Sequence, residues 1–468
     1  MWTQRDQIQA YQFLRRRLVS ALVAADANHP VSPSRRLVLG TVLGVAVMLL
    51  VTAVFGVIGL LKPSGGKDWL AGGHVIVEEG TGARYILGQD NALHPVLNYA
   101  SARLLAGGNG DATVSVSAKN LATAPRGGGV GIAGAPDSLP GAGNLVTSRW
   151  NSCSKTTPDA PSSAEPTSVV VLGAAATGRE VGSAEGLLVR LAGGERYLIA
   201  GGQRYKLSAD ASAALGYDAG SAVVVSGRWL NTVPAGRDLS FIAVADAGRA
   251  GPKVGTTATK VGQILVVNDA VTGTPAGYYL VRKDGLQVVT QTEAALIMAA
   301  PANSDAYEKP GTTVVKAAEV AKTGRVTAEN AGGYPGRIPA LLTVTGGVVT
   351  VCAEGDGAGP ARIVLSGAPP GGRAIAAPKT DARAADEVFV PPSGGAVVTE
   401  LMGSGTVYLV TDTGLKYPVA SAQALAALGY GAVRKQAVSS GLLGLVPTGP
   451  ALDPAAAAQL VAPVAGAG

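Results

Sequence analysis

Reactive side chains are scarce in this sequence, and that scarcity excludes most of the usual chemistry. Only three histidines and two cysteines occur in 468 residues. His29 precedes a long apolar run while His74 and His94 follow it, too isolated to supply the clustered ligands of a metal site. There is no G-x-S-x-G elbow for an activated serine, and no carboxylate pair stands out from the scattered Asp and Glu. The nearest approach to a phosphate-binding G-x-x-x-x-G-K-S/T loop is Gly65-Gly66-Lys67-Asp68, with Leu61 in place of the first glycine and Asp68 in place of the magnesium-holding hydroxyl. Gly127 to Gly129 lies in low complexity and reads as a flexible loop. These residues call for no cofactor and no catalytic group. Aromatic residues are only 4%, while glycine, 65 residues, is about twice its usual share, which suits short strands, many turns and several small cores.

What is abundant is a single uninterrupted stretch of apolar residues, Leu37 to Leu61, long enough to cross a ~30 Å hydrocarbon layer with some tilt. Arg5, Arg15, Arg16, Arg17, Arg35 and Arg36 precede it, against only Asp6 and Asp26. The positive-inside rule then places the N-terminus in the cytoplasm and about 400 residues outside. The net charge of +6 comes mostly from this segment, so it marks topology rather than a nucleic-acid footprint. The run is too long and too far from the N-terminus for a cleaved signal peptide, and it reads as a retained anchor in the plasma membrane. Within it Gly40 and Gly44 form a G-x-x-x-G, a candidate helix contact. In the tail, Ile8, Tyr11, Leu14, Leu18 and Leu22 make one apolar helical face that needs a partner, either anionic lipid or protein.

Beyond the run a pattern recurs four times: Arg84-Tyr85-Ile86-Leu87, Arg196-Tyr197-Leu198-Ile199, Tyr278-Tyr279-Leu280-Val281 and Val407-Tyr408-Leu409-Val410. Each is followed by a turn, a second strand-like stretch (with Pro95 in the first copy and Pro418 in the last) and a short Ala/Leu-rich helix. Leu215-Gly216-Tyr217 and Leu428-Gly429-Tyr430 end the helices of the second and fourth copies, with Gly429 at a left-handed C-terminal position and Ser421 as an N-cap. The uneven spacing of Tyr85, Tyr197, Tyr279 and Tyr408 excludes a regular solenoid. Strand-rich stretches at 168–172, 222–230 with 241–244, and 341–351 with 362–366 fill the gaps as a discontinuous core.

The expected fold class is therefore a membrane-anchored α+β chain: one transmembrane helix, then an extracytoplasmic region of four β-hairpin/helix repeats around a discontinuous β core. The expected division is a cytoplasmic amphipathic segment 1–36, the span 37–61, the first repeat 62–121, a linker with core part 122–179 and the second repeat 180–221. A second core part 222–257, the third repeat 258–320, a third core part with linker 321–394, the fourth repeat 395–446 and a tail 447–468 follow. The glycine-rich 122–143 and 367–395 and the Ala-rich 454–468 read as exposed loops. Cys153 and Cys352 both lie outside the membrane, where an even count favours one bridge closing a loop of about 200 residues; two free buried thiols are the alternative.

At this point the residues resemble a known family. Arg5-Asp6-Gln7 through Tyr11 to Arg17 with Ala21-Leu22-Val23, the single span, Leu93-His94-Pro95-Val96-Leu97-Asn98 with Ser101-Ala102-Arg103-Leu104, Trp150 near Cys153, Val390-Pro391-Pro392-Ser393-Gly394-Gly395 and Pro447-Thr448-Gly449-Pro450-Ala451-Leu452-Asp453-Pro454 are similar to EccB, a membrane component of the type VII (ESX) secretion system of actinobacteria. The resemblance implies a structural subunit of an export channel, with an EccC-type ATPase, EccD, EccE and other EccB copies as partners, and it carries the bridge to Cys153 and Cys352. It also implies repeats similar to wall-binding modules, so a membrane-anchored peptidoglycan-binding protein is the alternative. An extracytoplasmic ATPase, an activity attributed to the family, is the third reading, although no motif here supports it.

Overall fold

The computed structural model describes residues 3–24, 33–61, 67–108, 113–156, 164–217, 222–327, 332–344, 349–378 and 381–461. Two helices come first. Gln4–Ala24 leaves Ile8, Tyr11, Leu14, Leu18 and Leu22 at least 57% exposed, so its apolar face is uncovered. Pro33–Leu61 contains the stretch Val38–Val57, of mean hydropathy 2.6, long and apolar enough to cross a membrane.

The four repeats share one topology, which is larger than a hairpin plus a helix. In the first, strands Val75–Glu78, Arg84–Leu87 and Leu93–Pro95 form an antiparallel meander, helix Tyr99–Ala106 crosses over, and strand Thr113–Val116 returns parallel to the first strand. A second short helix, Ala118–Leu121, follows. The second repeat uses Glu185–Arg190, Arg196–Ala200, Gln203–Lys206, helix Ala209–Ala214, Val223–Val224 and helix Gly227–Leu230. The third uses Ile264–Asn268, Pro275–Arg282, Gly285–Val289, Gln291–Met298, Thr313–Val314 and Ala317–Lys322. The fourth uses Gly395–Glu400, Val407–Thr411, Lys416–Val419, Ala422–Ala427, Gln436–Val438 and Ser440–Leu445. Side chains of Asn98, Ser208, Thr290 and Ser421 cap the four first helices, each satisfying a backbone N–H that the helix leaves unpaired.

The repeat tyrosines are structurally equivalent. Tyr85, Tyr197, Tyr279 and Tyr408 sit on the second strand opposite Pro95, Lys206, Val288 and Pro418. One residue away, His94, Tyr205, Gln287 and Tyr417 face Ile86, Leu198, Leu280 and Leu409. After each second helix the chain comes back along the outer edge of the third strand: Leu93, Arg204, Leu286 and Lys416 bridge in parallel to Arg126, Ala235, Arg325 and Thr448. The next residue is Gly127, Gly236 and Gly449 in three copies, and a Cβ on any of them would fall on the ring of His94, Tyr205 or Tyr417. A ring seated on a bare glycine thus locks the return segment to the sheet.

Between the repeats lies a seven-stranded sheet in the order Ile375–Ala376, Glu387–Phe389, Thr167–Leu172, Trp150–Lys155, Thr350–Glu354, Arg362–Ser366, Arg179–Glu180. It is discontinuous, with the second and third repeats inserted between its parts, as the sequence led us to expect. One face splits its apolar side chains between two repeats. Trp150, Val170, Leu172 and Val388 pack on Val398, Val410, Val438 and Leu442 of the fourth repeat. Val351, Ala353, Ile363 and Leu365 pack on Leu187, Val189, Trp229 and Leu230 of the second.

Four expectations need correction, the first being that the glycine-rich 367–395 is not an exposed loop throughout: Ile375–Ala376 and Glu387–Phe389 are strands of the core sheet, and Val388 and Val390 are buried. Residues 222–230, assigned to the core, supply the fourth strand and second helix of the second repeat, while 241–244 form no strand; two-residue and four-residue elements carry no readable periodicity. Residues 122–143 are not an exposed loop throughout: Val130, Ile132 and Ala135 are buried, and the last two join the core shared by the first and fourth repeats. Nor is the Ala-rich tail free, since Asp453 caps helix Pro454–Ala457, Ala457 is fully buried, and Val461 N donates to Gly129 O at 2.8 Å; residues 462–468 lie outside the described residues.

The ring–glycine lock gives a direct stability test. In Gly449→Ala the new Cβ would lie 2.5 Å from Cε1 of Tyr417, a ring only 2% exposed and unable to swing away. The substitution is expected to cost roughly 1–3 kcal/mol, as overpacking does in a filled site, and a denaturation midpoint equal to that of the parent chain would refute the lock.

Candidate functional site

The described residues contain no group of three or more His, Cys, Asp or Glu able to hold a metal ion. Gly65 and Gly66 of the nearest phosphate-loop match, and the side chain of Lys67, lie outside the described residues. What the fold does concentrate is a joint between two halves of the chain. Cys153 and Cys352 stand directly opposite each other on neighbouring antiparallel strands, their Cα atoms 4.1 Å apart, and form a disulfide. Both are fully buried on the second face of the core sheet, among Val169, Val171, Val364 and Phe389. The alternative of two free thiols is thereby removed.

The two sides of this joint repeat each other. Pro140 and Pro339 have the same separation as the two cysteines, 199 residues. Each carbonyl accepts a hydrogen bond from the tyrosine that follows a helix-ending glycine: Tyr430 Oη to Pro140 O at 2.7 Å and Tyr217 Oη to Pro339 O at 3.0 Å. Gly429 and Gly216, with φ of +94° and +74°, supply the left-handed turn that aims those tyrosines inward, and Leu428 and Leu215 beside them are buried. A few residues on, each linker lies parallel to the start of a first strand: Leu145 with Gly395, and Ala340 with Leu341 along Glu185 and Gly186. The linker leaving the first repeat therefore docks on the fourth, and the linker leaving the third docks on the second. The first helices pair in the same way, Tyr99–Ala106 with Ala422–Ala427 and Ala209–Ala214 with Gln291–Met298.

Half-buried charges beside the joint are held by specific partners. Arg228 Nη1 lies 2.8 Å from Asp386 Oδ1, whose other oxygen accepts from the N–H and hydroxyl of Ser168. Burial opposes ionisation of Asp386, but these donors outweigh it and hold the carboxyl below its usual range. Two further cations, the buried Lys416 and the half-buried Arg204, have another role. Lys416 Nζ donates to the carbonyls of Leu443 and Val446 at 2.8 and 2.6 Å, and Arg204 Nη1 donates to that of Leu230 at 2.9 Å, so each places positive charge at a helix C-terminus. Burial pushes the Lys416 ammonium below its ordinary value. In the first and third repeats the same position is a fully buried leucine, Leu93 or Leu286.

Gly40 and Gly44 sit on the membrane helix with nothing within 4 Å of where a Cβ would be. Their face is open.

A family model described as "Type VII secretion system ESX-1, transport TM domain B" matches residues 1–463. The chain belongs to the EccB family. A Mycolicibacterium smegmatis protein named ESX-3 secretion system ATPase EccB3 is 28% identical, over 91% of this chain and 84% of its own length. Mycobacterium tuberculosis ESX-5 secretion system ATPase EccB5 is 32% identical over 41% of this chain and 33% of its own. Among solved structures, a chain of the intact ESX-5 inner membrane complex superposes with a TM-score of 0.68 at 26% identity, covering 99% of this chain and 96% of that one. A chain of the EccB3 dimer from the ESX-3 core complex gives 0.66 at 25% identity, covering 83% and 100%.

Two signals that mark an EccB repeat here went unread in the sequence. One is Pro-x-Gly, at Pro125 to Gly127, Pro234 to Gly236 and Pro447 to Gly449, where the proline carbonyl accepts from the third strand and the glycine seats the ring. The other is the paired prolines 140 and 339.

The joint makes two predictions. Replacing both cysteines by alanine is expected to remove roughly 2–5 kcal/mol of stability, the usual effect of losing a native bridge, and an unchanged denaturant midpoint would show that the joint does not depend on its covalent link. The Tyr217 hydroxyl has its pKa pushed up to about 12 by burial, above the value of 10.0 that it takes when exposed. Its contribution to stability is therefore complete below pH 10.0 and is lost as pH rises through about 12. Tyr217→Phe should lose about 1 kcal/mol at neutral pH and show a shallower alkaline decline; parallel declines would contradict the assignment.

Proposed function

We propose that this EccB chain is a structural subunit of a type VII secretion membrane complex, holding an extracytoplasmic assembly to the membrane. The observation that carries the reading is that the match to the ESX-5 inner-membrane-complex chain extends over 99% of this one, so anchor, repeats and core correspond together. The arginine-rich tail faces the cytoplasm by the positive-inside rule. Its uncovered face of Ile8, Tyr11, Leu14, Leu18 and Leu22 docks on cytoplasmic partners, with an EccC-type ATPase, EccD and EccE the expected neighbours. Outside, the four repeats and their stapled core associate with further copies of this chain as a collar. Gly40 and Gly44 offer the membrane helix a surface for close approach to another helix.

Affinity-tagged full chain, extracted from its own membranes in mild detergent, is expected to bring down an EccC-type ATPase together with other membrane subunits. Recovery solely as free monomer would overturn the proposal, and retention of the chain on purified cell wall without those subunits would favour a wall-binding protein acting alone.

A further inference from the structure

The third repeat departs from its sisters at one place. Gln287 stands where His94, Tyr205 and Tyr417 stand, and Val326 stands where Gly127, Gly236 and Gly449 stand. Both members of the ring–glycine lock are replaced together, and a cleft of about 500 Å³ opens at that spot. This volume falls in the ~300–1,000 Å³ range of small-ligand sites. Leu280, Val289 and Ile297 form its apolar floor, and Arg282, Lys283, Arg237 and Tyr334 stand around it.

Three cations, Arg237, Arg282 and Lys283, and three acids, Asp246, Asp284 and Glu293, line the cleft, and they differ in how they are engaged. Arg282 Nε donates to Gln287 Oε1 at 2.9 Å, a neutral acceptor that orients the guanidinium without neutralising it. Among the described residues neither Arg282 nor Lys283 has a carboxylate within ion-pair distance. The nearby acids are engaged or exposed: Glu293 accepts from Thr290 N at 2.7 Å, Asp246 faces Arg249 at 3.4 Å, and Asp284 is exposed on the turn. The Arg237 guanidinium lies 5.0 Å from the centroid of the Tyr334 ring, which fixes one wall.

We propose that this cleft binds the terminal carboxylate of a peptide. The carboxylate meets the free edge of the Arg282 guanidinium and the Lys283 ammonium, a charge-assisted pairing suited to the planar fork of arginine. The final side chain lies on the Leu280, Val289 and Ile297 floor, which favours an apolar residue there and sets a peptide end apart from an inorganic anion. The other three repeats cannot take such a ligand, because in each of them the ring fills the slot.

The test uses the full chain in detergent and an N-acetylated tripeptide ending in leucine, as free acid and as C-terminal amide, titrated by calorimetry. The acid is expected to bind saturably and the amide to bind weakly, and Arg282→Gln is expected to weaken the acid by about tenfold or more, the scale of losing a charge-assisted hydrogen bond. Gln287→Tyr with Val326→Gly rebuilds the lock of the sister repeats and should abolish binding while leaving the unfolding midpoint equal or higher. Absence of saturable binding at millimolar acid, equal binding of acid and amide, or undiminished binding in the rebuilt variant would each overturn the assignment.

Discussion

Two neighbouring strands, Trp150–Lys155 and Thr350–Glu354, hold this molecule together. They come from distant parts of the chain, pair along their whole length, and place Cys153 against Cys352 in the middle. One face of their sheet buries the bridge, and the other provides a common apolar floor for the second and fourth repeats. The first and third repeats reach that floor at second hand, through the helices they pack on the fourth and second. If the two strands separate, every repeat loses a support at once. A covalent link at this position restricts the unfolded chain where closing a long loop is entropically most costly.

How much of this was legible follows from the length of each signal. The membrane helix announces itself because Val38–Val57 carries no charge over 20 residues and has a mean hydropathy of 2.6, long and apolar enough to cross a bilayer. The repeat tyrosines could be found because strands two and three alternate clearly and Leu-Gly-Tyr ends two helices in the same way. The fourth strand and second helix are not legible: Val223–Val224 and Gly227–Leu230 each span only about one period of their pattern, too short for a repeat to show, and tertiary pairing creates them. The glycine-rich 122–143 misled for a different reason. Its glycines permit close approach to a ring and to neighbouring backbone, so a composition that usually means exposure here means tight packing. The cysteine bridge was open to inference from parity and compartment, whereas the cleft in the third repeat was not, because it exists only by contrast with three aligned copies.

The buried polar groups follow the same division of labour. Where a strand position faces the end of a second helix, the chain uses either a leucine or a cation, and the cation is bonded to helix carbonyls rather than to a carboxylate. This arrangement stiffens the second and fourth repeats, the two that rest on the core sheet.

The crossed linkers and the last described residues have a mechanical meaning. The first repeat follows the membrane helix, and its return segment is hydrogen-bonded to the chain's final strand residues at Val130, Leu460, Gly129 and Val461. Tension arriving from the anchor therefore enters the beginning and the end of the fold together. It loads the Gly129–Val461 hydrogen bond and the packing of helix Pro454–Ala457 on helix Tyr99–Ala106 at the same time. A fold closed this way receives a pull from the membrane at both of its ends.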